Sequence, residues 1–215
     1  MTTRLFTTLS LGLACAAGAS AGVVVYEQNF ESPALIGNEW SSKATEAHGV
    51  FTRFSERRTN NPLTLTIGTV TGQAYSLLFD LYIIDSWDGS NQEWGGPDTF
   101  NVRIGDTLAF SETMDNDPNS RFKTYRNPDE AGHFGFGTRD YDNDAIYRGI
   151  LLDFVAGGPF TTIAFFGTGL QSRNDESWGI DNVSVAALPV PGPAGALVIG
   201  FAGLALARRR ERMDD

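Results

Sequence analysis

The sequence contains very little cysteine and histidine. Of its 215 residues one is Cys, at position 15, and two are His, His48 and His133. A single Cys excludes a disulfide within the chain and any zinc or iron–sulfur site built from several Cys ligands. The two His follow no metal-ligand spacing, and no Ser–His–Asp arrangement can be recognised from so few. The sequence therefore gives little support for catalysis.

Basic residues are also scarce. The chain has 16 Lys and Arg against 26 Asp and Glu, and positions 22–187 alone carry 11 basic and 23 acidic residues. Such an acidic surface repels nucleic acid and anionic lipid, so no nucleic-acid partner is predicted. Hydrophobic residues make up 41% and aromatic residues 12%, enough for the core of one domain. This balance suits a domain that binds cations outside the cytoplasm.

The first 21 residues have the pattern of a signal peptide. Arg4 precedes an apolar stretch at 9–17, and Ala19, Ser20 and Ala21 supply the small residues that signal peptidase accepts, which predicts cleavage after Ala21. Two alternatives remain open at this stage. The segment could form a buried N-terminal helix, or Cys15 could be the acylated residue of a lipoprotein.

Residues 188–215 have the pattern of a membrane-engaging tail. A proline-rich spacer is followed by 14 uncharged residues, 194–207, and then by Arg208, Arg209 and Arg210. Fourteen helical residues reach about 21 Å, whereas 20 residues counted from Leu188 approach a hydrocarbon core of about 30 Å. Positive charge stays on the cytoplasmic side, which leaves residues 22–187 outside. The alternative is a C-terminal helix packed on the domain.

Residues 22–187 are predicted to form an all-β domain, an antiparallel β-sandwich of the jelly-roll kind. Short segments with alternating apolar residues recur between Gly, Pro, Asn and Asp, and no convincing amphipathic helix precedes residue 188. In the segment 75–84, Leu77, Phe79, Leu81 and Ile83 should face the core, with Asp80 and Tyr82 on the other face. Two longer loops, 85–98 and 114–132, are the expected places for function. The predicted strands are 23–30, 49–54, 63–70, 75–84, 99–104, 107–111, 133–137, 146–155, 161–166 and 178–186.

Three stretches resemble the galactose-binding or lectin-like jelly rolls of bacterial surface proteins. They are residues 79–89 (Phe-Asp-Leu-Tyr-Ile-Ile-Asp-Ser-Trp-Asp-Gly), 96–100 (Gly-Pro-Asp-Thr-Phe) and 179–185 (Gly-Ile-Asp-Asn-Val-Ser-Val). In related carbohydrate-binding jelly rolls, an acidic residue after the first strand and one on the last strand often share a structural calcium. The resemblance implies that Glu31 and Asp181 occupy these two places.

The tail resembles the PEP-CTERM sorting signals of exported proteins from Gram-negative bacteria that make extracellular polysaccharide. Pro191, Gly192 and Pro193 stand where that family has Pro-Glu-Pro, so glycine replaces the glutamate. The resemblance implies an exosortase-type processing enzyme as a partner. It also implies a protein that is first anchored in the inner membrane and then reaches the cell surface or extracellular matrix.

Alternating acidic residues at Asp140, Asp142 and Asp144 form the best local calcium candidate. Calcium takes six to eight oxygen ligands, which such a run can supply in part, although the EF-hand pattern is not met. An acidic, solvated turn is the alternative. Three other sets compete for the same role: Asp85, Asp88 and Asn91; Asp115 and Asp117; Glu31 and Asp181.

Trp87, Asp88 and Trp94 lie in a glycine-rich acidic loop and are candidate carbohydrate-binding residues. An indole face can stack on the apolar C–H face of a sugar ring. Alternatively, the two side chains fold back as lids on the core. Trp40 and Trp178 are assigned to the core or its edge.

The sequence thus predicts an exported, non-catalytic cell-surface or extracellular-matrix protein. Its domain would bind polysaccharide with calcium support and would be sorted through its tail. A hydrolase or lyase acting on polysaccharide is one alternative, because 23 acidic residues always contain candidate carboxylate pairs. A purely structural protein of the biofilm matrix is the other.

Overall fold

The computed structural model of the protein describes residues 22–137 and 143–189. The predicted signal peptide (1–21) and the sorting residues Pro191, Gly192, Pro193, Arg208, Arg209 and Arg210 lie outside these ranges, as do Asp140 and Asp142. Within the described ranges, no helix has the length and apolar character needed to cross a membrane. The regular structure there is all β, apart from a single 3-10 turn at Pro33–Leu35.

The described chain forms two antiparallel sheets and a separate hairpin. One sheet has five strands in the order β1-β11-β5-β9-β8, the other has four in the order β4-β10-β6-β7, and β2 pairs only with β3. Every strand pair is antiparallel. The strands are β1 (Val23–Gln28), β2 (Thr45–His48), β3 (Phe51–Ser55), β4 (Leu63–Gly68), β5 (Ala74–Asp85), β6 (Thr99–Ile104), β7 (Thr107–Thr113), β8 (Glu130–Gly132), β9 (Asp144–Val155), β10 (Phe160–Thr168) and β11 (Glu176–Ala187).

The main core lies between the two sheets, which makes the domain a β-sandwich. The inward face of β5 carries the four apolar residues predicted for it, Leu77, Phe79, Leu81 and Ile83, and all are fully buried. From the opposite sheet, the ring of Phe165 lies 5.2 Å from that of Phe79, in the edge-to-face geometry that aromatic pairs prefer. The period-two pattern therefore located this core correctly.

The outer face of β5 differs from the prediction. Tyr82 was expected to face solvent but is buried, because the hairpin β2–β3 covers this part of the five-stranded sheet. Phe51 and Phe54 of β3 place their rings 4.9 and 5.2 Å from the ring of Tyr82. Gly179 on β11 permits this approach, since a Cβ there would collide with the ring of Phe54. A second, smaller apolar cluster therefore lies outside the sandwich.

Most predicted strands are present, but one predicted strand is not formed and two short strands, β2 and β8, were not predicted. β6 has the predicted bounds, whereas the predicted strand 133–137 is not formed and β8 ends one residue before it. The alternating Phe134 and Phe136 pack their rings against Phe51 in the second cluster instead of pairing with a strand. β2 was missed because its sequence, Thr-Glu-Ala-His, has no alternation of large apolar residues.

Candidate functional site

Three loops meet at one end of the sandwich. They are the connection from β5 to β6 (86–98), the segment after β7 (114–129) and the connection from β10 to β11 (169–175). The backbone N–H of Ser86 donates to the carbonyl of Asp175 at 2.8 Å, and Asp88 forms an isolated β-bridge with Asp115. The first two loops are those in which function was expected. The third was not anticipated.

These loops hold a group of three acidic side chains. Asp88 lies in the first loop, Asp98 directly precedes β6, and Glu176 is the first residue of β11. One carboxylate oxygen of each lies within 4.8 Å of the others. Asp98 and Glu176 are fully buried, at 0% exposure, whereas Asp88 is partly exposed. Because β6 and β11 belong to different sheets, the group joins the two sheets at their open end.

Backbone hydrogen bonds fix one oxygen of each buried carboxylate. Asp98 Oδ2 accepts from the backbone N–H of Asp88 at 2.5 Å, and Glu176 Oε2 accepts from the backbone N–H of Gln171 at 2.6 Å. The second oxygens, Asp98 Oδ1 and Glu176 Oε1, are buried and have no hydrogen-bond partner among residues 22–137 and 143–189. In the part of the chain that the structure describes, no ion pair links Asp88, Asp98 or Glu176 to a Lys or Arg.

The electrostatics of the group disfavour three negative charges. Burial, together with repulsion from neighbouring carboxylates, raises the pKa of Asp98 to about 7 and that of Glu176 to about 8. Burial also raises the pKa of Asp88 to about 6, with Asp115 and Asp175 adding repulsion. Desolvation and like charges both oppose ionisation of a carboxyl group. Bound protons or a bound cation are therefore favoured over three unpaired negative charges.

Two glycines allow the loops to approach closely. Gly169 has a φ of +87°, and a Cβ at this position would collide with the carbonyl oxygen of Pro97. A Cβ at Gly96 would lie 2.6 Å from the carbonyl oxygen of Gly89. Gly89 in turn accepts a hydrogen bond from the backbone N–H of Asp98 at 2.7 Å. Because Gly96 and Gly169 have no Cβ, the loop that contains Asp98 can pack closely against the segment that leads to β11.

A cleft of about 750 Å³ opens beside the acidic group. Trp94 stands at this cleft with 65% of its surface exposed, and its ring meets that of Phe122 edge to face at 6.4 Å. Gln171 Nε2 donates to the carbonyl of Trp94 at 3.3 Å, which ties the first loop to the third. Among the described residues, none that lines the cleft is a Lys or Arg. The lining consists of Ser86, Trp87, Asp88, Trp94, Asp115, Asn116, Asp117, Asn143, Gln171 and Asp175.

Of the four tryptophans, only Trp87 has a different environment from the one predicted for a carbohydrate-binding residue. Trp40 and Trp178 are buried in the core, as assigned from the sequence. Trp94 is exposed, as a carbohydrate-stacking residue requires. Trp87 is only 2% exposed and its indole N–H donates to the carbonyl of Ser177 at 2.9 Å, so its ring face is not available for stacking. For Trp87, the alternative of a side chain folded onto the core was correct.

Asp144, Glu31 and Asp181, which were also predicted to bind calcium, are not part of the acidic group. Asp144 is buried, and its two oxygens accept hydrogen bonds from the backbone N–H groups of Asp85 and Phe134 at 3.2 and 3.0 Å. Its burial raises its pKa to about 6. These contacts give Asp144 a structural role at the start of β9. Its two proposed partners lie outside the described residues, so that calcium site stays a prediction.

Glu31 and Asp181 also have protein partners. Glu31 Oε1 accepts from the backbone N–H of Arg53 at 3.2 Å. Asp181 Oδ2 accepts from the hydroxyl of Tyr82 at 3.1 Å, and its Oδ1 accepts from the backbone N–H of Asn182 at 2.7 Å. The structure does not bring this pair together with a third acidic side chain at metal-binding distance within the described ranges. A calcium shared by the pair stays a prediction.

Asp98 and Glu176 are the site residues that the sequence did not reveal. They are separated by 77 intervening positions and share no local motif. A usable signal did exist, because Asp98 directly precedes the predicted strand 99–104 and Glu176 lies two residues before the predicted strand 178–186. Strand ends of a sandwich cluster at its two ends, so acidic residues at such boundaries become candidates for a common site.

Comparisons with known proteins do not assign a family. No protein-family model and no curated protein matches the chain. Solved structures that match include a family GH115 4-O-methyl-alpha-glucuronidase with specificity for decorated arabinogalactans (15% identity, 79% of this chain and 18% of that chain, TM-score 0.37). Another is a family 35 carbohydrate binding module from an environmental isolate (12% identity, 80% of this chain and 96% of that chain, TM-score 0.32). A third is the Agl-KA catalytic domain (14% identity, 86% of this chain and 32% of that chain, TM-score 0.29). Likenesses at these TM-scores assign neither a family nor a function.

Proposed function

We propose that this chain is an exported, non-catalytic protein whose cleft binds carbohydrate with the support of a calcium ion. The observation that carries the proposal is the exposed indole of Trp94 beside a cleft lined with carboxyl, amide and hydroxyl groups. An indole face packs against the C–H face of a sugar ring, and the polar side chains can hydrogen-bond its hydroxyl groups. This combination of one aromatic platform and several hydrogen-bonding groups suits a glycan.

The charge of the cleft favours an uncharged glycan over an anionic one. Asp88, Asp115, Asp117 and Asp175 line it, and its described lining residues include no Lys or Arg. An anionic polysaccharide would meet repulsion there unless a cation intervened. We therefore expect neutral polysaccharides to bind more tightly than acidic ones.

The non-catalytic part of the proposal extends the expectation from the sequence, and burial supports it for Asp98 and Glu176 but not for the four aspartates that line the cleft. Glycosidases need two carboxyl groups that flank the scissile bond and contact the substrate. Asp98 and Glu176 are fully buried, and only Asp88 of the three reaches the cleft. Release of reducing ends or unsaturated sugars from a panel of polysaccharides would instead favour the hydrolase or lyase alternative.

Export and sorting complete the proposal. Residues 1–21 would direct export, and the PEP-CTERM-like tail would anchor the protein in the inner membrane before an exosortase-type enzyme passes it to the surface or matrix. The described chain leaves the sandwich beside Ala74, whose carbonyl accepts from the N–H of Leu188 at 2.9 Å. Exposed Val70, Val155 and Phe160 surround this end, which is opposite to the cleft. A tail at this end leaves the cleft directed away from a membrane.

The jelly-roll connectivity of the strands is part of the same proposal. The chain crosses repeatedly between the two sheets, as in the steps from β4 to β5, from β5 to β6, from β9 to β10 and from β10 to β11. Such crossings accord with the jelly-roll connectivity expected from the sequence. They also bring the connections before β6 and β11 to one end of the sandwich.

Replacing Trp94 with Ala should weaken glycan binding by about ten-fold, or about 1.4 kcal/mol, because the stacking surface is lost. Affinity electrophoresis of the purified protein through gels containing neutral polysaccharides measures this effect. Phe160→Ala is a matched control, since it removes an equally exposed aromatic ring from the opposite end of the sandwich.

Equal retardation of the wild type and the Trp94→Ala variant would contradict the assignment of the cleft. If no polysaccharide retards the wild type at all, the purely structural matrix protein becomes the better account. Loose biofilm in a deletion strain, without loss of glycan binding by the cells, would support that alternative.

A further inference from the structure

We infer that Asp88, Asp98 and Glu176 are the protein ligands of one divalent cation, for which calcium is the best-fitting ion. The inference rests on the calcium part of the proposed function and gives it a specific site. These three residues come from one loop, 86–98, and from the start of β11, which the fold brings together. They are distinct from the local acidic run at 140–144 and from the pair Glu31 and Asp181.

The spacing of the carboxylates matches an ion held between them. One oxygen of each side chain lies within 4.8 Å of the others. Calcium binds oxygen at about 2.3–2.6 Å, so two ligands on opposite sides of the ion are about 4.6–5.2 Å apart. The three oxygens are thus already within the span of a single calcium coordination sphere.

Two buried oxygens without partners provide a second, independent observation. Asp98 Oδ1 and Glu176 Oε1 make no hydrogen bond within the described structure, although both side chains are fully buried. A buried polar atom without a partner is costly, and a buried charge without one is more so. Each carboxylate is held by a backbone N–H on its other oxygen, which leaves the orphan oxygen available to an ion.

The donor set identifies the class of ion. All three ligands are carboxylates, and the group contains no His or Cys, which zinc prefers. Three carboxylates supply three to six oxygens, a good share of the six to eight that calcium takes. Magnesium demands regular octahedral geometry at shorter distances and keeps several waters, so a largely buried group of three carboxylates suits it less well.

A bound ion would cross-link the two sheets at this site. Asp98 leads into β6 of the four-stranded sheet, whereas Glu176 begins β11 of the five-stranded sheet. An ion between them links the two sheets at their open end. The third ligand, Asp88, also lines the cleft, so the ion would hold the wall of the cleft in place. The chain lacks the cysteines that could serve the same purpose through a disulfide.

The inference is tested by calorimetric titration with calcium chloride and with magnesium chloride. The purified full chain is first stripped with a chelator and dialysed. We expect one calcium per chain at this site, weaker magnesium binding, and a rise in melting temperature with calcium. The isosteric variants Asp98→Asn and Glu176→Gln should each lose at least ten-fold in calcium affinity. Asp153→Asn, on β9 toward the opposite end, is the matched control and should bind like the wild type.

Absence of calcium binding by the wild type, or unchanged affinity in both variants, would overturn the inference. Melting curves in chelator show whether each variant folds, so a loss of affinity cannot be confused with unfolding. Glycan binding is measured separately with the Trp94→Ala variant, which should keep its calcium affinity. If the wild type binds calcium but no glycan, the proposed carbohydrate binding is wrong and the cation site stands. If it binds glycan but no calcium, the cation site and the calcium part of the proposed function are wrong and carbohydrate binding stands.

Discussion

In the presence of a chelator, the melting temperature of the protein should fall as the pH rises from about 4.5 to about 8. The folded protein raises the pKa of Asp98 to about 7 and of Glu176 to about 8, above their usual values of 3.8 and 4.5. A group with a raised folded-state pKa contributes stability below its unfolded-state pKa, and this stability is lost as the pH rises through the folded-state value. The loss should be on the order of a few kcal/mol, which corresponds to about 10 °C for a domain of this size.

Calcium should remove most of this pH dependence, because the ion replaces the protons as partner of the carboxylates. The Asp98→Asn variant is the control. In chelator at about pH 8 it should melt at or above the temperature of the wild type, since a neutral amide removes the repulsion, yet calcium should stabilise it far less. A wild-type melting temperature in chelator that is constant or rises over this pH range would contradict the predicted electrostatics. Thermal melts followed by tryptophan fluorescence provide the measurement.

Replacing Trp178 with Ala should destabilise the domain by about 3–5 kcal/mol, the range typical of large aromatic truncations in a core. The side chain is fully buried, and its ring meets that of Phe100 edge to face at 5.2 Å. Its indole N–H also donates to the carbonyl of Thr59 at 2.6 Å, so the change leaves that carbonyl without its partner. Chemical denaturation in urea measures the difference in the free energy of unfolding.

Trp94→Ala is the matched control for this experiment because it removes the same side chain from an exposed position. Its effect on the free energy of unfolding should stay within about 0.5 kcal/mol, as for most surface substitutions. Equal destabilisation by the two substitutions would contradict the division of the tryptophans between core and cleft. Together with the glycan measurements, the pair separates a stabilising tryptophan from a binding one.

The sequence predicted the parts of the fold that depend on local alternation. On β5 the apolar residues at positions 77, 79, 81 and 83 sufficed to identify the core face, because each lies opposite a complementary sheet. On β6 the alternation and the flanking turn residues located the strand at its observed bounds. In both cases the period-two signal is strong because one face of the strand is buried.

The outer face of β5 could not be predicted in the same way. Tyr82 is buried only because a hairpin from a distant part of the sequence lies over it, and the hairpin strand β2 carries no apolar alternation. Gly179 permits that contact on a third strand. No single segment contains the information that these three parts meet.

The candidate site shows the same contrast between local and non-local signals. The long loop after β5 was predicted to be a place for function, and it supplies Asp88 and Trp94 to the cleft. The local run at Asp140, Asp142 and Asp144 was preferred as a metal site because its spacing is visible in the sequence. Asp98 and Glu176 come together only because the two sheets pack against each other, so spacing along the sequence could not reveal them.

The most direct test of the central claim is anomalous diffraction from crystals of the protein grown with calcium. A long-wavelength data set should show a calcium peak between Asp88, Asp98 and Glu176, with carboxylate oxygens at about 2.3–2.6 Å. A calcium peak found only elsewhere, for example at residues 140–144, would contradict the account. So would a map without any calcium peak, in which protonated carboxyl groups of the three residues hydrogen-bond to one another.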